Sequence, residues 1–294
     1  MVVCTYRTVD TILSLCVVFD SKHLKLKILK ASMHILIIVF LTLLTQVGGI
    51  IWLINFGVFK LLKRTRTAKF RLILFLFAYL FCSIFLVPPL ATLNNRYALP
   101  VLKKGKLIPH NYITPILNRH YVRKDLKSSL LLVASKFEER KPGIRVAYLD
   151  ACFPFIKGFP LLPHLSHKDG RKVDLSFYYS KNSKLTNLKP SRTGYGNFVN
   201  PKKGDLDQTR VCKAKGNWQY DFTKYLSLGR RGDLLFDPQA TKYLIGLLLE
   251  IPNSQKIFIE PYLKTQMSLN QFDKIRFHGC RAVRHDDHIH LQID

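Results

Sequence analysis

Two long apolar runs restrict this chain more than any other feature of its sequence. Residues 34–59 contain no Asp, Glu, Lys or Arg and are dominated by Ile, Leu, Val and Phe, and residues 72–93 form a second uncharged run. Each run has enough residues to cross the hydrocarbon core of a bilayer as a helix. A buried helix of a soluble protein is the alternative, but such a helix needs a polar face. The sequence therefore predicts two transmembrane helices within a membrane anchor at 33–94.

Charge placement predicts how this anchor is oriented. The segment 60–71 between the two runs carries six positive charges, on Lys60, Lys63, Arg64, Arg66, Lys69 and Arg71. By the positive-inside rule this loop is cytoplasmic, so both termini face outward and the C-terminal domain is periplasmic, held at the cytoplasmic (inner) membrane. Residues 1–32 form a basic tail, unless translation starts at Met33. Residues 95–124, basic and interrupted by prolines, are expected to form a juxtamembrane linker.

The net charge indicates which partners to expect. The formal charge is +27, and no Asp or Glu occurs between Asp20 and Asp125, an interval with 17 Lys and Arg residues. Such a balance implies anionic partners, either anionic lipids or envelope polymers. Aromatic residues do not recur among the basic runs in the pattern of a known nucleic-acid module, so no nucleic acid is expected as a partner.

Residues 125–294 have the pattern of an α+β domain with a small antiparallel sheet and flanking helices. Helices are expected at 125–140 and 238–249, the second opened by an Asp237 N-cap followed by proline. Strands are expected at 144–153, 173–179, 256–259 and 288–293. Residues 180–217 are expected to be a long surface loop over the functional site. Tyr195, Asn197 and Phe198 are candidates there for substrate contact, with a merely solvated loop as the alternative.

Two short segments of the domain, 163–175 and 285–290, hold five of the ten histidines of the chain. Imidazole nitrogen and carboxylate oxygen are zinc ligands, and a catalytic zinc keeps three protein ligands and one open position. If the last segment is a strand, His288 and His290 point the same way, so that His290 could bind a metal while His288 faces the substrate. A turn at Gly170 would bring His167 and Asp174 to the same ion.

These residues also carry a family resemblance. The pattern His164-x-Ser166-His167-x-x-Gly170-x-x-Val173-Asp174, followed by His285-x-x-His288-x-His290, resembles the penicillin-insensitive murein endopeptidases. They belong to a zinc group with the lysostaphin-type peptidases, the D-alanyl-D-alanine dipeptidases and carboxypeptidases, and the hedgehog signalling domain. The resemblance implies that His167, Asp174 and His290 bind one zinc ion. It is confined to these motifs, and nothing before about Pro100 takes part in it.

The resemblance also implies a reaction, the hydrolysis of peptide cross-links in peptidoglycan. Many members of the group have a catalytic Glu where this chain has His285, but the murein endopeptidases have His there, and also where His164 stands. His285 is therefore the first candidate for the base, His288 its partner or a transition-state stabiliser, and His164 a residue that orients water or a ligand. Asp286 and Asp287 either orient these histidines or remain solvated.

Two alternatives share the same scaffold. One is a D,D-carboxypeptidase or dipeptidase with a different pocket, and the other is a non-catalytic, zinc-stabilised binding or signalling domain. The remaining histidines of the domain region, His110, His120 and His278, belong to no motif and are expected to be bystanders.

The six cysteines show no C-x-x-C metal pattern. Cys212 and Cys280 could form a disulfide, and Cys152, in an apolar stretch, is expected to be buried. A cysteine nucleophile is the weaker chemical alternative.

Overall fold

The computed structural model describes residues 7–61, 67–162, 164–229 and 232–294, and the side chains of 7–22 lie outside that description. The chain divides into two compact units, Met1–Tyr79 and Leu80–Asp294. Of the predicted basic loop, Lys63, Arg64 and Arg66 lie outside the described residues, as do Met1 and Pro163.

The first unit is helical. It contains α1 (Arg7–Thr45), α2 (Gly48–Leu61) and most of α3 (Ala68–Phe81). The last residues of α3 belong to the second unit, where the chain continues through a π-helical segment (Cys82–Leu86) into α4 (Val87–Thr92). Two helices, His23–Thr45 and Ala68–Thr92, are long and apolar enough to cross a membrane. The 14 residues of α2 extend only about 21 Å, less than the thickness of a hydrocarbon core.

The prediction of one continuous span at 34–59 is wrong. The helix breaks at Gln46, whose φ is 65°, and α2 folds back along α1 as a hairpin. Gly49 permits this approach, because a Cβ there would lie 2.0 Å from Thr42 Oγ1 and 2.5 Å from the Ile38 carbonyl oxygen. Further along the hairpin, the indole of Trp52 donates a hydrogen bond to His34 Nδ1 (3.3 Å). The first candidate span therefore begins earlier, and the predicted tail at 1–32 contributes residues to α1.

After α4, the second unit is a mixed α/β domain. Its elements are β1 (Tyr97–Ala98), β2 (Leu107–Pro109), α5 (Ile113–Ile116), β3 (Tyr121–Val122), α6 (Lys124–Arg140), β4 (Val146–Asp150), β5 (Lys172–Ser176), β6 (Tyr179–Lys181), β7 (Lys184–Thr186), α7 (Gln208–Ala214), a 3-10 segment (Trp218–Leu226), β8 (Leu235–Phe236), α8 (Pro238–Leu249), β9 (Ser254–Phe258), α9 (Pro261–Gln266), β10 (Ile275–Arg276) and β11 (His288–Ile293).

The main sheet has six strands in the order β10-β9-β11-β5-β4-β2. The four central strands run antiparallel, whereas the outer pairs β10–β9 and β2–β4 are parallel. The mixed helix and strand content agrees with the prediction, but the expected purely antiparallel sheet is wrong at both edges. The cause is that each edge strand is added after a crossover and not through a hairpin.

The helices pack on the sheet by apolar stripes that the sequence displays. Leu126, Leu130 and Phe137 of α6 are fully buried at helical spacing, and they join the core with Leu244 and Leu248 of α8. The Asp237 carboxylate caps α8 by accepting a hydrogen bond from the backbone amide of Ala240 (2.9 Å). The predicted helices at 125–140 and 238–249 are confirmed within one residue.

The predicted linker at 95–124 is wrong, because this segment belongs to the domain. It forms β1, β2, α5 and β3, and Leu99, Leu107 and Tyr121 are buried. Pro109 is tolerated because it ends β2, an edge strand of the main sheet. Of the prolines that suggested a linker, Pro109 ends β2 and Pro115 lies inside α5.

Candidate metal centre

The centre is built where two neighbouring strands place polar side chains on one face. Strands β5 and β11 pair antiparallel, with Asp174 directly opposite His290. The predicted turn at Gly170, where φ is +73°, lies between His167 and β5. It returns the chain so that His167 lies against the same two side chains, and all three residues are buried.

Three ligand atoms converge there. His167 Nε2 lies 3.1 Å from Asp174 Oδ1, His290 Nδ1 lies 2.8 Å from the same oxygen, and the two nitrogens are 3.2 Å apart. Donor atoms around a tetrahedral zinc lie roughly 3.3 Å apart, given bonds of about 2.0–2.1 Å. Asp174 Oδ1 is buried and makes no hydrogen bond in the described part of the chain. The donor set thus fits one metal ion held by His167, Asp174 and His290.

A backbone carbonyl fixes the orientation of the His167 ring on the side away from the donor set. Its Nδ1 lies 3.0 Å from the backbone carbonyl of Ala151, to which it can donate its proton. That tautomer leaves the lone pair of Nε2 directed at Asp174 and His290, as in metal sites where a ligating histidine is held by a carbonyl.

The second oxygen of Asp174 has a different set of neighbours. The hydroxyl of Tyr195 donates a hydrogen bond to Oδ2 (2.8 Å), and His164 Nδ1 lies 3.1 Å from it. His164 Nδ1 is also 3.4 Å from Asp150 Oδ2, and Asp150 is paired with Arg119. His164, His167 and Asp174 could also hold a metal ion, because their ligand atoms lie within 4.8 Å of one another. The three atoms His167 Nε2, Asp174 Oδ1 and His290 Nδ1 lie closer together than this second set. His164 is therefore better described as a partner of the two carboxylates.

The electrostatics of the donors suit metal binding. Burial favours the neutral carboxyl of Asp174, but the adjacent His167 and His288 rings outweigh it and hold its pKa well below the usual range. Burial lowers the pKa of His290 to about 3, against the opposing effect of Asp174, so its imidazole is neutral. Burial also opposes the charged form of His164, yet its bonds to Asp150 and Asp174 raise its pKa to about 9.

The remaining predicted residues, His285 and His288, lie beside the donor set. Their rings are 4.9 Å apart, and the His285 ring is 5.7 Å from that of His290. Burial and the neighbouring charge of His288 hold the pKa of His285 well below its ordinary value. Burial disfavours the imidazolium of His288, but Asp174 and Asp287 outweigh it and raise its pKa.

Two carboxylates that the sequence left undecided or unmentioned hold these histidines. Asp287 Oδ1 lies 2.5 Å from His288 Nδ1, while its Oδ2 accepts a hydrogen bond from the Gly196 amide. Glu260, buried between β9 and α9, accepts a bond from the backbone amide of His285 (2.9 Å). Asp286 instead pairs with Arg284 and accepts a hydrogen bond from the hydroxyl of Tyr262.

The donor set opens into a cleft of about 390 Å³. His285, His288 and His278 line it, and Trp218 and Phe222 from the 3-10 segment form an apolar wall. His278 was expected to be a bystander, but its ring lies 5.0 Å from that of His285 and 4.1 Å from Phe258, against which it stacks.

The remaining residues that the sequence singled out differ in whether they reach the cleft. The long excursion at 180–217 does reach the site, through Tyr195, whereas Asn197 and Phe198 do not line the cleft in the described structure. His120 is buried and His110 contacts the carbonyls of Ser191 and Arg192, and neither lines the described cleft.

Cysteine chemistry is structural in the described domain. Cys212 and Cys280 form a disulfide that joins α7 to the segment after β10, and Cys152 is buried as expected.

Sequence reasoning missed Asp150, Arg119 and Glu260. A signal existed for Asp150, which ends an otherwise apolar strand, but its contact with His164 depends on the pairing of β4 with β5. Comparison with models of known protein families gives no match. Comparison with curated proteins gives none either.

Proposed function

We propose that this chain is a membrane-anchored zinc peptidase that hydrolyses peptide cross-links in peptidoglycan. The observation that carries the proposal is the convergence of His167 Nε2, Asp174 Oδ1 and His290 Nδ1 at the floor of an open cleft. The motif resemblance to murein endopeptidases supports the choice of substrate, since the same residues are the implied ligands.

Zinc is the metal we favour. Two imidazole nitrogens and one carboxylate oxygen form a borderline donor set that suits zinc, and three protein ligands leave a position open for water or substrate. When bound, zinc would supply Lewis acidity and lower the pKa of water to near 7.

The proton transfers are assigned to His285 and His288. His285 is neutral, so its free nitrogen can accept a proton from the attacking water and return it to the leaving amine. The protonated form of His288 is favoured by Asp287, which holds Nδ1, and by Asp174, which the ring faces. A charged imidazole at this place can donate a hydrogen bond to the oxyanion that develops on the scissile carbonyl.

His164 is assigned a positioning role. It bridges Asp150 and Asp174 behind the ligand oxygen, so it acts on the site through the carboxylate and not on the substrate. Tyr195 shares this role through its bond to Asp174. These contacts orient the ligand and prevent rotation of the carboxylate.

A second reaction on the same site is favoured by Arg281. This exposed guanidinium lines the cleft, where it could bind the terminal carboxylate of a peptide stem. In that case the enzyme would be a D,D-carboxypeptidase or dipeptidase. The third candidate is a zinc-stabilised binding or signalling domain. The full set of motif histidines is present in this chain, which argues against the loss of catalytic residues that such a domain would permit.

The anchor and the disulfide support an extracytoplasmic domain. The α1–α2 hairpin brings Lys30 of the basic N-terminal segment to the same end of the helical unit as Lys60 and Arg71. We assign this end to the cytoplasm by the positive-inside rule, so that Ala68–Thr92 leads outward. Under this assignment the beginning of α1 lies on the cytoplasmic side, in contrast to the two outward-facing termini expected for a single first pass. The Cys212–Cys280 disulfide is suited to an oxidising compartment.

The test is digestion of purified peptidoglycan by the detergent-solubilised full chain, with muropeptides resolved by mass spectrometry. We expect the untreated protein to convert cross-linked dimers to monomers. After chelation of the metal the dimers should persist, and addition of zinc should restore their conversion. The variant His167→Ala should leave the dimers intact, whereas His23→Ala, an exposed histidine of α1, should behave as wild type.

The products separate the candidate functions. Release of free D-alanine or of a dipeptide, without loss of dimers, would replace the endopeptidase by the carboxypeptidase or dipeptidase. A folded, zinc-loaded protein that releases no product would favour the binding domain. Unchanged metal content in both His167→Ala and Asp174→Ala would refute the ligand assignment itself.

A further inference from the structure

The helical unit contains a cavity of about 640 Å³ that the peptidase proposal does not use. Each of three helices contributes residues at helical spacing to it. From α1 these are Lys30, Met33, His34 and Ile37, and α2 contributes Trp52, Asn55, Phe56 and Phe59 at the same intervals. Side chains three, four and seven positions apart share one helix face, so two whole helix faces are turned toward this space.

One end of the cavity is cationic. Lys30 of α1, Lys60 at the end of α2 and Arg71 in the first turns of α3 all line it, and all three are exposed. The Arg71 guanidinium also lies 5.7 Å from the centre of the Phe59 ring, a contact that orients it. The nearest acidic residues along the chain are Asp20 and Asp125, so the sequence supplies this end with cations only.

The rest of the lining is apolar and aromatic. Met33, Ile37, Phe56 and Leu72 contribute apolar side chains to the lining, and Trp52 is held in place by its bond to His34. The cavity thus presents a cluster of positive charge at one end and hydrocarbon contact along its length. A free inorganic anion would use only the first of these, whereas an amphiphile with an anionic head would use both.

We propose that this cavity is a binding site for one anionic phospholipid. Its phosphate lies among Lys30, Lys60 and Arg71, and an acyl chain packs against Ile37, Phe56 and Leu72. The assignment follows from charge complementarity with anionic lipid head groups and from the two membrane-length helices that form its walls. It is independent of the peptidase proposal, because no residue of the metal centre takes part.

The fluorescence of Trp52 can be used to measure lipid binding in this cavity. The chain has two tryptophans, so in a Trp218→Phe background the fluorescence reports on Trp52 alone. The full chain is reconstituted in phosphatidylcholine bilayers that contain a minor fraction of brominated phosphatidylglycerol or brominated phosphatidylcholine, whose bromines quench tryptophan on contact. We expect brominated phosphatidylglycerol to quench with a roughly tenfold greater apparent affinity, since each nearby cation adds attraction for an anionic lipid.

Matched charge variants separate a site from general surface attraction. Lys30→Gln/Lys60→Gln/Arg71→Gln should abolish the preference, whereas Lys25→Gln/Lys27→Gln/Lys69→Gln removes the same charge outside the cavity lining and should retain it. The charge-conserving Lys30→Arg/Lys60→Arg/Arg71→Lys should also retain it, with helix content checked by circular dichroism for all variants.

Three results would overturn the assignment. Equal quenching by both brominated lipids in the parent protein would exclude selective binding. An equal loss of preference in both glutamine variants would show attraction to the whole basic surface. Loss of the preference when millimolar inorganic phosphate is added would identify a site for free anions.

Discussion

Substitution of Gly196 tests how the long loop supports the metal centre. The φ of Gly196 is +76°, and a Cβ at this position would lie 2.3 Å from the carbonyl oxygen of Thr223 and 3.1 Å from the Cα of Lys224. Both are backbone atoms, so relief requires movement of the loop or of the 3-10 segment. The Gly196 amide also donates to Asp287, which holds His288, so this movement would reach the catalytic histidine.

The expected magnitude follows from comparison with Gly204. Its φ is +97°, but a Cβ there would meet nothing within 4 Å. Gly204→Ala therefore adds only the left-handed backbone cost, about 1 kcal/mol after the reduced freedom of the unfolded chain is subtracted. Gly196→Ala adds the steric cost of an overpacked interior, about 1–3 kcal/mol, so its total is about 2–4 kcal/mol. For a domain of this size, the melting temperature should fall by roughly 2–4 °C in Gly204→Ala and by roughly 4–16 °C in Gly196→Ala.

The assay is thermal unfolding of the full chain and the two variants in the same detergent, followed by near-ultraviolet circular dichroism. Zinc content and muropeptide release are measured in parallel. Equal melting temperatures for Gly196→Ala and Gly204→Ala would refute the reasoning, because the two positions differ in the predicted clash. Full peptidoglycan cleavage by a strongly destabilised Gly196→Ala would refute the link from this loop through Asp287 to His288.

Three further outcomes follow from the structure. His290→Ala should reduce zinc affinity by more than the roughly 10–100-fold expected for the loss of a supporting residue, whereas His278→Ala should change it less, as measured by competition with a zinc indicator. Cys280→Ser opens the Cys212–Cys280 loop of 68 residues and should destabilise the domain by about 4 kcal/mol in denaturant titrations, with equal stability of the variant as the contrary result. Burial, with a smaller effect of a nearby lysine, lowers the pKa of His120 to about 3 from 6.5, so its contribution to stability is complete above pH 6.5 and is lost as the pH falls toward 3. His120→Gln should flatten the dependence of unfolding free energy on pH in that window.

Local sequence signals were sufficient for the elements that carry the ligands. Strand β11 was predicted with its observed limits, and the turn at Gly170 was expected from the spacing of His167 and Asp174. The start of helix α8 was predicted from an acidic N-cap residue followed by proline. Each of these features depends on residues close together in the chain, so it could be recognised without the fold.

Features that depend on distant contacts were not accessible in the same way. The break at Gln46 lies within an uncharged apolar run, where hydropathy is uniform and does not show that α2 packs back on α1. Asp150 reaches His164 only because β4 pairs with β5, and Glu260 reaches His285 only because β9 lies beside β11. Asp150 and Glu260 could therefore be identified as residues of this site only from strand order.

Apolar residues and histidines alternate along β11, and this alternation links the stability of the domain to the geometry of the metal centre. Ile289, Leu291 and Ile293 are fully buried in the core, and they alternate with His288 and His290 on the opposite face. A slip of one residue in the pairing with β5 would move the apolar side chains out of the core and turn both histidines away from Asp174. The pairing of β11 with β9 on its other edge opposes such a slip. The same apolar residues that stabilise the sheet therefore fix the position of His290 in the donor set.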